Sequence, residues 1–193
     1  MNIIVTEETE NGDVPIDIYS KLANDRILFI HNYVDDRTAI DTVATLMLKD
    51  SEDSNQKISI FINASGGDLR SVFMIYDAMK LIQSPIETFC IGEAIDEAAL
   101  ILAGGTPGMR FATTNSLVCV GQLHSDGSMR SDIADAFVYM ERIKRDNKMF
   151  MAELAKCTGK KPKDLIKDLD RRKFFSAKQA KAYGLIDAVV VGK

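Results

Sequence analysis

The sequence predicts an α/β domain of parallel strands joined by crossover helices. Three observations predict it. A strand, a turn and a helix recur in that order three times. The turns between them carry glycines and small polar residues. The 193 residues suit one hydrophobic core, with 46% hydrophobic and 27% charged residues, the balance of a globular chain and not of a disordered one.

Residues 1–16 mix polar residues with Gly12 and Pro15 and show no periodicity; they are predicted to be a mobile N-terminal arm, leaving 17–193 as one domain. The apolar run 26–30 is the first strand, and Ile40, Val43, Leu46 and Met47 set a helix over 36–49. Residues 57–62 form a strand, 63–68 a turn, and Val72, Ile75, Met79 and Ile82 mark the next helix. A third unit follows: strand 88–91, tight turn 92–95, and an apolar helix over 96–103 closed by Gly104 and Gly105. After a strand at 117–120 and a polar stretch, the longest helical pattern covers 132–156, with Ile133, Phe137, Met140, Ile143, Met151 and Leu154 in phase. At ~1.5 Å per residue such a helix projects beyond a small domain. Helices near 162–169 and from Ser176, then a strand at 188–191, complete the chain.

The formal net charge of −4 argues against nucleic acid as a partner. Cys90, Cys119 and Cys157 are odd in number and scattered, which excludes a disulfide framework and gives no zinc-site spacing; no metal or cofactor is predicted. No stretch reaches the ~18 uninterrupted apolar residues of a membrane span, and the first residues lack a secretory pattern. A cytoplasmic location, or an equivalent one such as the plastid stroma, is expected.

Several segments in fixed order resemble the Clp protease proteolytic subunit. They are Asp17-Ile-Tyr-Ser-Lys-Leu with Asp25-Arg-Ile, Phe61-Ile-Asn63 leading to Gly66-Gly67, and Ile75-Tyr-Asp77. Further along come Cys90-Ile-Gly92, Leu102-Ala-Gly-Gly105, Asn115-Ser116, Thr158-Gly159, Phe174-Phe-Ser-Ala177 and Ala182-Tyr-Gly-Leu-Ile-Asp187. The resemblance spans about residues 18–190. It implies the fold shared with crotonase-type hydratases, the 132–156 helix as a handle between two stacked heptameric rings, and a chamber fed by a hexameric AAA+ ATPase. The ATP would be the partner's, because this chain has no phosphate-binding Gly-Lys loop.

The resemblance also assigns positions to a Ser-His-Asp set, in which a hydroxyl needs a base and the base an orienting carboxylate. The nucleophile position is Asp96, the base position Gly121 and the acid position Arg172, none of which can play its part. The oxyanion hole would use Gly66, Gly67 and the Glu97 amide, with Ser65 where the family has proline and Asp68 directly after. A non-catalytic subunit working with an intact relative is therefore expected, in a homo- or hetero-oligomeric ring. Arg172, extending through the space vacated at Gly121, is predicted to pair with Asp96. Two other readings stay open: a crotonase-like enzyme using Asp96 and Glu97 as acid and base, and a self-assembling pseudo-enzyme that binds peptides without a protease partner.

Other features read as ordinary. His31 and His124 are taken as surface loop residues, and His124-Ser-Asp126 as a turn, since consecutive residues cannot form a relay. Cys119 is packed, and Asn63-Ala-Ser65 is a chance glycosylation match. The basic stretch from Lys160 to Lys173 alternates with Asp164, Asp168 and Asp170 and reads as a solvated face.

Overall fold

A computed structural model describes residues 3–9, 12–123 and 132–191. Its elements are β1 (Ile4–Thr9), β2 (Gly12–Asp17), α1 (Ile18–Asn24), β3 (Ile27–Val34), α2 (Asp36–Glu52), β4 (Ile58–Gly67), α3 (Leu69–Leu81), β5 (Ile86–Ile95) and α4 (Ala98–Ala103). They continue with β6 (Arg110–Thr113), β7 (Leu117–Val120), α5 (Ile133–Thr158), α6 (Pro162–Asp168), β8 (Lys173–Ser176), α7 (Ala177–Tyr183) and β9 (Ala188–Val190).

The main sheet runs β3-β4-β5-β6-β9, all parallel, as the strand–turn–helix rhythm predicts. β7 branches off the end of β5, and β8 pairs antiparallel with β7. Alternation along the strands sorts the two faces. Leu28, Ile30, Ile58, Ile60, Ile62, Ile86 and Cys90 point into the core, where they meet the helices. α4 is the centre of that layer: all six of its residues are buried, against β4 and β5 on one side and α3 and α5 on the other.

The opposite face carries an aromatic ladder. Phe29, Phe61, Phe89 and Phe111 stand in register on four neighbouring strands. Their rings stack at 5.2, 4.9 and 5.0 Å, and Phe29 is 42% exposed. Offset stacking of this kind contributes about 0.5–1.5 kcal/mol per pair beyond burial.

The structure departs from the sequence reading in several places. β4 continues through Ala64, Ser65 and Gly66, and β5 through Gly92 to Ile95, so the two predicted turns lie inside strands. The polar and glycine residues there mark register shifts, at Asn32/Tyr33 and Ile62/Ala64, with Gly66 at φ 137° and Gly92 at φ 89°. His31 lies within β3 and not in a loop, its Nδ1 2.8 Å from Asn32 Nδ2. Residues 4–9 and 12–16, read as part of a mobile arm, form with Asp17 the two-stranded sheet β1-β2. In β2 only Ile16 is even half-buried, so no face selects an alternating pattern. The 124–126 turn reading lies outside the described residues.

α5, 26 residues long, is the projecting helix. Its C-terminal half buries Phe150, Met151, Leu154 and Ala155, while Phe137 and Val138 near its start are 65% and 71% exposed. Asp132 caps it by accepting from the Asp135 N–H at 2.9 Å.

Candidate functional site

The carboxyl end of β5 delivers the chain to Asp96, whose φ of 49° is left-handed. Its N–H donates to the Cys119 carbonyl at 2.8 Å, and its own carbonyl accepts from Ala99 at 3.1 Å, opening the turn into α4. Aspartate is among the few side chains that enter this region at low cost. Only 7% of Asp96 is exposed, so its carboxylate needs a partner.

Arg172 supplies one: its Nη2 donates to Asp96 Oδ2 at 2.6 Å. The guanidinium reaches Asp96 from the start of β8, past Gly121 at the end of β7. Val120 pairs with Lys173 across β7 and β8, which sets Gly121 beside Arg172. A Cβ on Gly121 would stand 2.9 Å from Arg172 Cγ, 3.1 Å from its Cα and 3.3 Å from its backbone nitrogen. The missing side chain thus serves two ends: it clears the path of the arginine and lets the two backbones close up.

Cys119 completes this corner, with Sγ 3.9 Å from Asp96 Oδ1. Burial, helped by the nearby Asp96 charge and opposed by Arg172, pushes its thiol up to about 11. It is a packed thiol and not a nucleophile at neutral pH.

Gly66, Gly67, Asp68 and Glu97 converge beside the pair. A Cβ on Gly67 would fall 2.7 Å from Val34 Cβ and 2.8 Å from Val72 Cγ2, so only glycine fits between β3 and α3. Asp68 is occupied as the cap of α3, accepting from the Arg70 and Ser71 N–H groups at 2.8 and 3.2 Å. Glu97 Oε2 lies 3.6 Å from the Cβ position of Gly66, so of the three acids gathered here it is Glu97 whose carboxylate stands over the glycines. The adjoining cavity of ≈ 170 Å³ is lined by Tyr33, Glu97, Arg70, Arg142 and Asp146 among others.

The structure therefore gathers Asp96, Gly121, Arg172, Gly66, Gly67 and Glu97 in one region. His31 is elsewhere, on β3, and His124 lies outside the described residues. Sequence reasoning missed Asp146, which is 6% exposed. It pairs with Arg70 from α3 and with Arg142 at 3.5 Å, tying the long helix to the segment after the glycines. The i,i+4 spacing of Arg142 and Asp146 was the available signal.

The Clp protease family model matches residues 10–193. The chain belongs to the Clp protease family. It is similar to the ATP-dependent Clp protease proteolytic subunit 2 of Frankia casuarinae, 42% identical over 96% of this chain and 85% of the relative. Subunit 3 of the same organism is 39% identical over 98% and 88%, and subunit 3 of Nocardia farcinica 37% identical over 89% and 77%. The mixed α/β architecture, with its mostly parallel sheet, fits this family. Among the described residues no helix is long and apolar enough to cross a membrane.

Proposed function

We propose that this chain is a non-catalytic, ring-forming subunit of a Clp-type proteolytic chamber. In this reading Asp96, Gly121 and Arg172 stand at the nucleophile, base and acid positions of the family, and Gly66, Gly67 and Glu97 at its oxyanion hole. The chamber wall is heptameric and stacked through α5, an intact relative in the same assembly cuts the peptide, and an AAA+ ATPase delivers it. The half-exposed aromatic ladder is an apolar surface available to that ATPase. The location is cytoplasmic or an equivalent compartment.

One observation carries the reading: the Arg172–Asp96 hydrogen bond of 2.6 Å, passing a glycine whose Cβ would strike the arginine. A nucleophile position filled by a carboxylate already bound to a permanent cation has no hydroxyl to activate and no room for an imidazole. Loss of even one member of such a set leaves residual catalysis only. Acid–base use of Asp96 is disfavoured by the same bond, which occupies its Oδ2.

The test combines two measurements on the chain isolated from its own cells. Native mass spectrometry should find mixed rings with a relative carrying an intact Ser-His-Asp set. The chain alone should cleave no fluorogenic peptide and take up no serine-directed fluorophosphonate. Labelling of the purified chain, or rings without any Clp relative, would remove the proposal.

A further inference from the structure

β4 outruns its neighbour in the sheet. Its last pair with β5 is Ala64 with Ala94, while on the other side Gly66 and Gly67 still pair with Tyr33 and Val34 of β3. Glu93, Ala94 and Ile95 of β5 pair with β7. Among the described residues Ser65, Gly66 and Gly67 therefore present an open strand edge. Gly66, at φ 137°, has no side chain to keep another backbone away. An extended peptide can add to such an edge through main-chain hydrogen bonds, its alternate side chains being sorted by what lies beside the strand.

What lies beside it is the cavity of ≈ 170 Å³, and part of its wall is ionic. Asp146 of α5 accepts from Arg70 Nη2, and Arg142 Nε stands 3.5 Å from its other oxygen, too long for a good hydrogen bond. Two guanidiniums thus share one carboxylate. The Asp146 side chain is 9% exposed, whereas those of Arg70 and Arg142 are 45% and 54% exposed. The acid is closed off and the cations face open space. A guanidinium carries five N–H donors in a planar fork, more than a shared carboxylate can take. The other acids of the wall are placed differently: Asp68 accepts from backbone N–H groups at the start of α3, and Glu97 stands over Gly66. Around Asp146 the balance is positive.

We propose that this cavity receives an acidic side chain, Asp or Glu, of a peptide laid along the open edge of β4, with Arg70 and Arg142 as the groups that select it. The inference rests on the non-catalytic reading above and gives the site a ligand class: an acidic segment is held there and not cut. A neutral side chain would cover the guanidiniums without pairing them, and a basic one would meet them as like charge, so both are selected against.

The test is fluorescence anisotropy of rhodamine-labelled pentapeptides Ala-Ala-X-Ala-Ala, both ends blocked, with X as Glu, Gln, Leu or Lys, titrated with the purified full chain at about 0.05 M and 0.3 M salt. The Glu peptide should bind about fivefold or more tightly than its Gln isostere at the lower salt, with the ratio shrinking at the higher. Arg142→Gln should reduce that ratio, and Arg70→Gln/Arg142→Gln should bring it near one. Circular dichroism checks each fold. Because the double variant strands a buried Asp146, Arg142→Gln, on a half-exposed side chain, decides alone if the double variant does not fold.

Equal binding of the Glu and Gln peptides, preference for Lys, or a ratio that Arg142→Gln leaves intact would overturn the inference while leaving the proposed function standing. So would binding of none of the four. An Ala peptide with a free C-terminus that binds as tightly as the blocked Glu peptide would reassign the arginines to chain ends and overturn the side-chain assignment. Cleavage of the bound Glu peptide by the purified chain would remove the non-catalytic reading, and with it the claim that the segment is held and not cut.

Discussion

Two arginine–aspartate pairs in this molecule are made differently. Arg110 is buried and grips Asp187 with two nitrogens, Nε at 2.9 Å and Nη2 at 2.6 Å. Its Nη1 donates to the carbonyls of Ala103, Cys157 and Gly184 at 3.2, 2.8 and 3.1 Å. Asp187 also accepts from the Gly108 and Arg110 N–H groups. This one guanidinium ties β6, the end of α4, the end of α5 and the turn after α7. Arg172 has a side chain 49% exposed and makes a single bond to Asp96. The first pair is a joint that several elements need. The second joins the turn after β5 to the start of β8 through one bond, and only the carboxylate end is buried.

The largest effect should come from the joint. Arg110→Ala removes the guanidinium from three carbonyls and leaves Asp187 with backbone N–H donors alone, and should lower stability by about 3–5 kcal/mol in denaturant unfolding. Gly121→Ala comes next, at about 1–3 kcal/mol, because its Cβ meets both the arginine and the backbone of position 172. Combining it with Arg172→Ala should recover about 0.5–1 kcal/mol of that loss, since one of the clashing atoms goes; strict additivity would show that the Cβ–Cγ contact is relieved by other means. Arg172→Ala alone should cost about 1–2 kcal/mol, the worth of a charged hydrogen bond to a buried carboxylate, and a loss equal to that of Arg110→Ala would erase the distinction between the pairs.

The smallest effect is on pH dependence. Arg110 holds the Asp187 carboxyl below its ordinary value, first by hydrogen bonding and then by charge. A carboxyl depressed in the folded state contributes stability that is complete above the ordinary value, about 3.9, and is lost as pH falls through the lower folded value. Asp187→Asn should therefore flatten the acid limb of a stability–pH profile below about pH 4 and leave the profile above it parallel to wild type.

Much of this was legible in the sequence. The long helix, the parallel order and the meeting of Asp96 with Arg172 follow from periodicity and from the family resemblance. What failed did so for identifiable reasons. Glycine and small polar residues at 63–67 and 92 look like turn residues, yet parallel strands use the same residues where their register shifts. β6 opens on Arg110, a buried cation whose partners other than Ala103 lie 47 to 77 residues away, a separation that no local pattern reveals. β8 pairs antiparallel at the edge of a sheet otherwise parallel, and its four residues carry little alternation. Asp146 was hidden because one of its two arginines comes from another helix.

The left-handed backbone at position 96 has a consequence for how this chain can change. A φ of 49° admits Gly, Asn, Asp and few others without strain. β-branched and large apolar side chains would be strained there whatever role the site keeps. The range of tolerable substitutions is thus narrow for reasons of local geometry alone, and it favours short polar side chains able to bond nearby groups. A saturation library at 96, scored for folded protein and not for activity, would read the shape of the turn directly.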